Sequence, residues 1–236
     1  MGLLFALAAL IVQPVQAADL QVSPVRVNLD AQTTNAVMTL INRGTSDTLL
    51  QLSVAVWSQD ASGDVLVPTR DILANPGVFL LKAGEQQVAR FALRVPPDIK
   101  ERSYRIVIQE VPRQRVENGL ATVLRLLVPV FVATPNPSAA IDWSARPDPA
   151  GLVLVAHNIG NVHVQLKTIR LSADKLTPIS KTVNLYVLPG ATGMIRIQLP
   201  KPAAVGAALQ LAADSDQMNF STSVRVGASE GVPGRP

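Results

Sequence analysis

Apolar and polar residues alternate with a period of two along most of the chain. In LQVSPVRVNL (20–29), NAVMTLINRG (35–44), LLQLSVAVWS (49–58), QQVARFALRV (86–95) and SYRIVIQEV (103–111), apolar and β-branched residues recur at strand spacing. That period turns one face of a strand inward and leaves the other in water. No i, i+3, i+4, i+7 stripe persists through three turns, so helices are not expected. The strands are separated by turn chemistry: Asn42-Arg43-Gly44, Ser62-Gly63-Asp64, Asn75-Pro76-Gly77, Ala83-Gly84 and Glu117-Asn118-Gly119 supply positive or preset φ where the chain must reverse.

Six or seven strands with a tryptophan (Trp57) on the third predict an immunoglobulin-like sandwich. After the Pro-rich stretch ATPNPSAA (133–140) the pattern repeats in IDWSA, GLVLVAHN, VHVQLKTIRLSA, KTVNLYVL, GMIRIQL, ALQLAA and FSTSVRV. The chain of 236 residues therefore reads as all-β, with a first domain over 18–135, a second β-sandwich over 136–228, and a tail over 229–236 expected to be disordered.

One stretch departs from the pattern. GLATVLRLLVPVFVATP (119–135) is almost wholly apolar, interrupted by Arg125 and Pro129. It is too short for a spanning helix, which needs ~20 apolar residues, and a central arginine costs about 2.5–3.5 kcal/mol on insertion. As a strand, the fourteen residues from Leu120 to Ala133 would extend ~46 Å, more than twice the usual length. Leu120, Thr122, Leu124, Leu126, Val128, Val130 and Val132 share one face, while Arg125, on the other, is expected to meet solvent. Pro129 cannot donate to a ladder, which places it at an edge or a bend. Two readings follow: both faces are buried between the domains, or the edge is offered to the sheet of a partner.

Composition narrows the setting. The first seventeen residues are apolar and end in Val15-Gln16-Ala17, with small residues at −3 and −1 of a cleavage point, so 1–17 reads as a secretory signal peptide and no span is expected in the mature chain. The segment has no charged n-region, which leaves a start inside a longer leader, or an uncleaved anchor, as alternatives. There is no cysteine, excluding disulfides, thiolate metal sites and a cysteine nucleophile. The net charge of +4 is scattered and aromatics make up 4%, a poor match to a nucleic-acid surface.

The ordered set of a leader, SPVRVNL, NRG, ILANPGVFLLKAGEQQVARFAL, SYRIVIQEVP and a long apolar strand ending in VPVFVATP resembles the periplasmic pilus-assembly chaperones, PapD-like proteins, and is closest to their spore-coat-protein-type (archaic) branch. The resemblance covers nearly all of the first domain. It implies two immunoglobulin-like domains in an L-shaped arrangement, no catalytic activity, and a periplasmic location. The implied partners are pilin-like subunits that lack a strand, and an outer-membrane usher that receives them. The opening run corresponds to the family's G1 strand, with Leu120, Thr122, Leu124 and Leu126 as the side chains lent to the subunit. Self-association through the same edge is a further expectation. The family holds the subunit's C-terminal carboxylate with basic residues, and Arg26 matches its first-strand arginine. The usual G1 lysine is absent, since that stretch reads Leu127-Val128-Pro129-Val130-Phe131, and Arg105 is the expected substitute. Thr134 stands where the family has an arginine that locks the domains together.

Enzyme chemistry finds no support. His157 and His163 are the only histidines and are expected at the surface; no phosphate loop, GxSxG or HExxH occurs, and Glu101, Glu110 and Glu117 suggest no pairing. No cofactor or metal is expected. The competing functional class is a structural pilus component or an envelope carbohydrate-binding β-sandwich, although a pilin would lack a strand where this chain has a surplus one.

Overall fold

The computed structural model describes residues 19–112, 123–173 and 176–228; the expected leader and tail, together with Leu120 and Thr122, lie outside them. The described residues contain strands and no helix. The first sandwich has one sheet of β1 (Leu20–Ser23), β3 (Asn35–Asn42), β8 (Gln86–Leu93) and β6 (Ile72–Asn75), in that order. Its second sheet runs β2 (Val27–Leu29), β10 (Arg125–Val132), β9 (Arg102–Glu110), β4 (Thr48–Asp60) and β5 (Gly63–Pro68), with β7 (Val78–Leu81) also on β4. The second sandwich packs β11 (Ile141–Asp148), β12 (Gly151–Asn158) and β15 (Thr192–Gln198) against a sheet ordered β14 (Leu176–Val187), β13 (Val164–Ala173), β16 (Ala208–Ser215) and β17 (Phe220–Arg225).

The segment 20–29 was expected as one strand and forms two, in different sheets. β1 pairs antiparallel with β3, the chain crosses over at Pro24 and Val25, and β2 pairs parallel with the end of β10. Proline has no N–H for a ladder, so the pairing of β1 ends at Ser23. Period-two alternation builds the first core from Met38, Leu40, Leu50, Leu52, Phe91 and Ile106, among others, on facing sheets.

Both sandwiches are closed by the same corner. Buried Asn42 donates from Nδ2 to the carbonyls of Ser46 and Leu81 (2.8 and 3.1 Å) and accepts from the N–H of Gly44 (3.0 Å). Asn158 repeats this with Val162, Val187 and Gly160 (2.8, 2.8 and 2.9 Å). In each, the backbone carbonyl of the asparagine takes the N–H of a glycine with positive φ, Gly84 or Gly190. A side-chain amide thus satisfies carbonyls that would otherwise be buried without donors.

Trp57 does not fill the core of its own domain. Its face of β4 points toward the second sandwich, where Trp57 and Phe131 join the core cluster of Leu152, Leu154, Leu166 and Val187. Burying two large aromatics there contributes about 2–3 kcal/mol each to domain docking. Polar links surround them. Gln59 donates to the carbonyl of Tyr186 (3.0 Å) and accepts from the N–H of Leu188 (2.9 Å), while Thr134 donates to the carbonyl of Ile99 (3.0 Å) within the first domain. Asn161 pins the linker through the carbonyl of Asn136 and the N–H of Ser138 (2.9 and 2.7 Å).

Candidate functional site

Backbone hydrogen bonds fix which side of β10 is free. The N–H of Glu110 donates to the carbonyl of Leu124 (2.9 Å), and the N–H of Ala133 donates to the carbonyl of Leu29 (2.8 Å). By the alternation of an antiparallel ladder, even-numbered residues turn their backbone groups toward β9 and odd-numbered residues turn theirs the other way. On that second side β2 covers only Val130 to Val132. Among the described residues, the backbone groups of Arg125 and Leu127 therefore face no strand. Pro129 lies on the same side, which is why a proline is tolerated in this strand. Over 128–132 both faces of β10 are buried, with Val128, Val130 and Val132 in the first core and Phe131 in the second, whereas at Arg125 and Leu127 the edge is open.

Side chains sort by the same parity. Leu124 and Leu126 are half-buried, and Leu126 packs against the first core. Val123 and Leu127 are each 40% exposed on the other face, and Arg125 is exposed beside them. The open edge thus continues an apolar core outward through Leu124 and Leu126.

At the far end of this edge is the cleft between the domains. Arg26 precedes β2 and crosses to the second sandwich. Its guanidinium donates to Asp216 Oδ2 (2.6 Å), to the Tyr186 hydroxyl (2.8 Å) and to Gln165 Oε1. Arg105 lies opposite Pro129 in the ladder, and its guanidinium sits 3.6 Å from the Trp57 ring centre. Both guanidinium carbons are 5.5 Å from the centre of the Tyr186 ring, so both arginines reach the same residue at the joint. Their states differ. Burial lowers Arg26, but its hydrogen bonds to Tyr186 and Asp216 more than reverse this and leave it raised. Arg105 is lowered by burial, its nearest carboxylate, Asp64, is 3.7 Å away, and its Nε is buried with no acceptor among the described residues. A buried cation short of acceptors is a ready site for a carboxylate.

Sequence reasoning missed a third group. His163, expected at the surface, is 3% exposed, and its ring stacks on Phe131 with centres 3.5 Å apart. Nδ1 lies 2.7 Å from Glu101 Oε1 and Nε2 lies 3.1 Å from Asp216 Oδ2. The two carboxylates stand on opposite sides of the ring, so the trio does not converge as metal ligands do. His157 is exposed, as expected.

The family described as pili and flagellar-assembly chaperones, PapD N-terminal domain, matches residues 19–137. The chain belongs to this family. Solved structures extend the likeness of the chaperone over both sandwiches. The chaperone–tip adhesion subunit complex CsuC–CsuE from archaic chaperone-usher Csu pili of Acinetobacter baumannii gives 22% identity, covering 90% of this chain and 100% of that one, with a TM-score of 0.64. The YadV chaperone gives 16% identity, 88% and 100% coverage and a TM-score of 0.61. The SafA pilin–SafB chaperone complex of Salmonella enterica gives 18%, 89% and 98% coverage, and 0.59. At these identities the likeness establishes a shared two-sandwich fold. No curated protein matches the chain.

Proposed function

We propose that this chaperone works in the periplasm, captures pilin-like subunits by lending them the first part of β10 as a missing strand, and hands them to an outer-membrane usher. The observation that carries this reading is the open edge at Arg125 and Leu127, with Leu124 and Leu126 extending the core beneath it and two guanidinium groups at its end. A strand docked on this edge gains main-chain hydrogen bonds, and its core receives the leucine side chains. Its terminal carboxylate then meets Arg105, which has donors to spare, and Arg26. The chaperone acts by binding rather than by catalysis. The carbohydrate alternative is weakened by the tryptophans, since Trp57 is buried and Trp143 is partly buried against Phe220, leaving neither as a platform for a sugar ring.

Co-expression with small secreted neighbour proteins, followed by size-exclusion chromatography, should yield one-to-one complexes with a subunit that is unstable alone. Absence of a complex with all of them would overturn the proposal. Parity provides a sharper check. Leu124→Asp should weaken capture by about two orders of magnitude, because a carboxylate would enter an apolar groove. Val123→Asp should change it by less than about threefold. The reverse ranking would assign the lent face to the other side of the strand.

A further inference from the structure

We infer that His163 is a positioning residue for subunit capture: held as an imidazolium between Glu101 of the first domain and Asp216 of the second, it fixes the cleft around Arg26 and makes capture depend on its own protonation. The geometry stands without reference to any subunit, whereas the consequence for capture rests on the function proposed above.

The imidazole bridges two carboxylates, one on each ring nitrogen. A neutral imidazole has a single N–H and would turn a lone pair toward the other carboxylate; only the doubly protonated ring can donate to both. Both carboxylate side chains are nearly buried, at 6% and 8% exposure, so a mismatch there is not relieved by water. Other donors hold the carboxylates in place. The N–H of His163 itself donates to Glu101 Oε1 (2.9 Å), and the N–H of Gln165 donates to Asp216 Oδ1 (2.8 Å).

The charges around the ring close as a set of four. Glu101 and Asp216 are the anions, and Arg26 and protonated His163 are the cations, with Arg26 and His163 sharing Asp216 Oδ2. From β10 the ring meets only Phe131, and from β14 it meets Tyr186, with centres 5.9 Å apart. Arg105 lies beyond Tyr186, and Arg102 is directed to Asp98 (3.2 Å). Loss of the proton leaves two nearly buried carboxylates and one cation, Arg26, which is bound to Asp216. The joint is then strained where Arg26 must be held.

The electrostatics agree in direction. Burial lowers the affinity of His163 for its proton, but the hydrogen bonds to Asp216 and Glu101, and then their charges, leave its pKa above 6.5. Burial raises Asp216, and the bonds from His163, Gln165 and Arg26 more than reverse this and place it well below 3.8. For His163, raised in the folded protein, the stabilisation is complete below 6.5 and fades as pH rises through the raised value. For Asp216, depressed in the folded protein, it is complete above 3.8 and fades as pH falls toward the lowered value. The clasp therefore holds fully between pH 3.8 and 6.5 and weakens as pH rises through the raised value of His163.

The test uses the whole protein. With only two histidines in the chain, His157→Gln assigns the His163 ring signal by NMR. That signal should titrate above 6.5. Through the same midpoint the Gln165 and His163 amide resonances and the small-angle scattering profile should shift. Affinity for the subunit recovered by co-expression should fall about tenfold or more across it. His157→Gln should keep this profile, and His163→Gln should bind weakly and with a flat one. Titration of His163 at or below 6.5 would overturn the inference, as would its titration with unchanged shape and capture. Should the ring and shape respond while no subunit binds at any pH, the clasp stands and the chaperone reading falls. Because the ring titration is measured on the unmodified protein, the inference stays testable even if His163→Gln fails to fold.

Discussion

Asp216→Ala should melt roughly 6–12 °C below the parent protein. Asp216 accepts from Arg26, from His163 and from the N–H of Gln165, and its side chain is only 8% exposed. Removing one partner of a buried charge pair leaves the others uncompensated and costs about 3 kcal/mol or more. For a chain of this size, ~1 kcal/mol corresponds to about 2–4 °C. Differential scanning calorimetry checks this, and the loss should concentrate in the coupling between the sandwiches, so that a single transition splits or broadens. A sharp single transition within about 2 °C of the parent would show that the cluster does not brace the domains.

Arg105→Ala should reduce subunit affinity at least about thirtyfold while moving the melting temperature by no more than about 3 °C. Truncating a cation that faces a partner's carboxylate costs about 2 kcal/mol or more of binding. In the free protein the same truncation loses a stacking contact with Trp57 but removes a buried Nε that has no acceptor, and the two effects oppose each other. Arg105→Lys should recover little, because an ammonium has neither the planar stack nor the paired donors. Titration calorimetry against a captured subunit measures both variants, and parental affinity in Arg105→Ala would move the anchor elsewhere. Arg26 is the less selective probe. Its ties to Asp216, Gln165 and Tyr186 mean that Arg26→Ala would lower capture and loosen the domains together.

The strands were legible because their signal is local. Alternation and Gly- or Pro-bearing turns lie within ten residues of the strands they define, and they predict two sandwiches; Pro129, expected at an edge or a bend, faces the open side of β10. Short β5, β6 and β7 were not separated from the turns around them, since strands of four to six residues carry too few alternations to stand out. The joint was not legible at all. Glu101 and His163 are 62 residues apart and His163 and Asp216 are 53 apart, so each reads alone as a surface polar residue until the domains dock. Trp57 pointed correctly to an immunoglobulin-like sandwich, and only the facing sandwich shows that its side chain belongs to the interface. The repeated Asn-x-Gly at 42–44 and 158–160 was in plain view and would have announced that both halves share one corner.

The short strand β2 also works as a ruler. It runs parallel to β10 and occupies the edge from Val130 onward, and Pro129 offers no N–H just before it. A foreign strand laid along Arg125 to Leu127 therefore cannot slide deeper; it stops where β2 begins. If it runs in the same direction as β2, its last residue comes to rest beside Arg26, with Arg105 across the ladder from Pro129. The distance from this stop to the leucines is set by the chaperone's own backbone. A client chain shortened or lengthened by one residue at its end would present its alternate face to Leu124 and Leu126. On the function proposed above, the edge measures the end of a client as well as binding it.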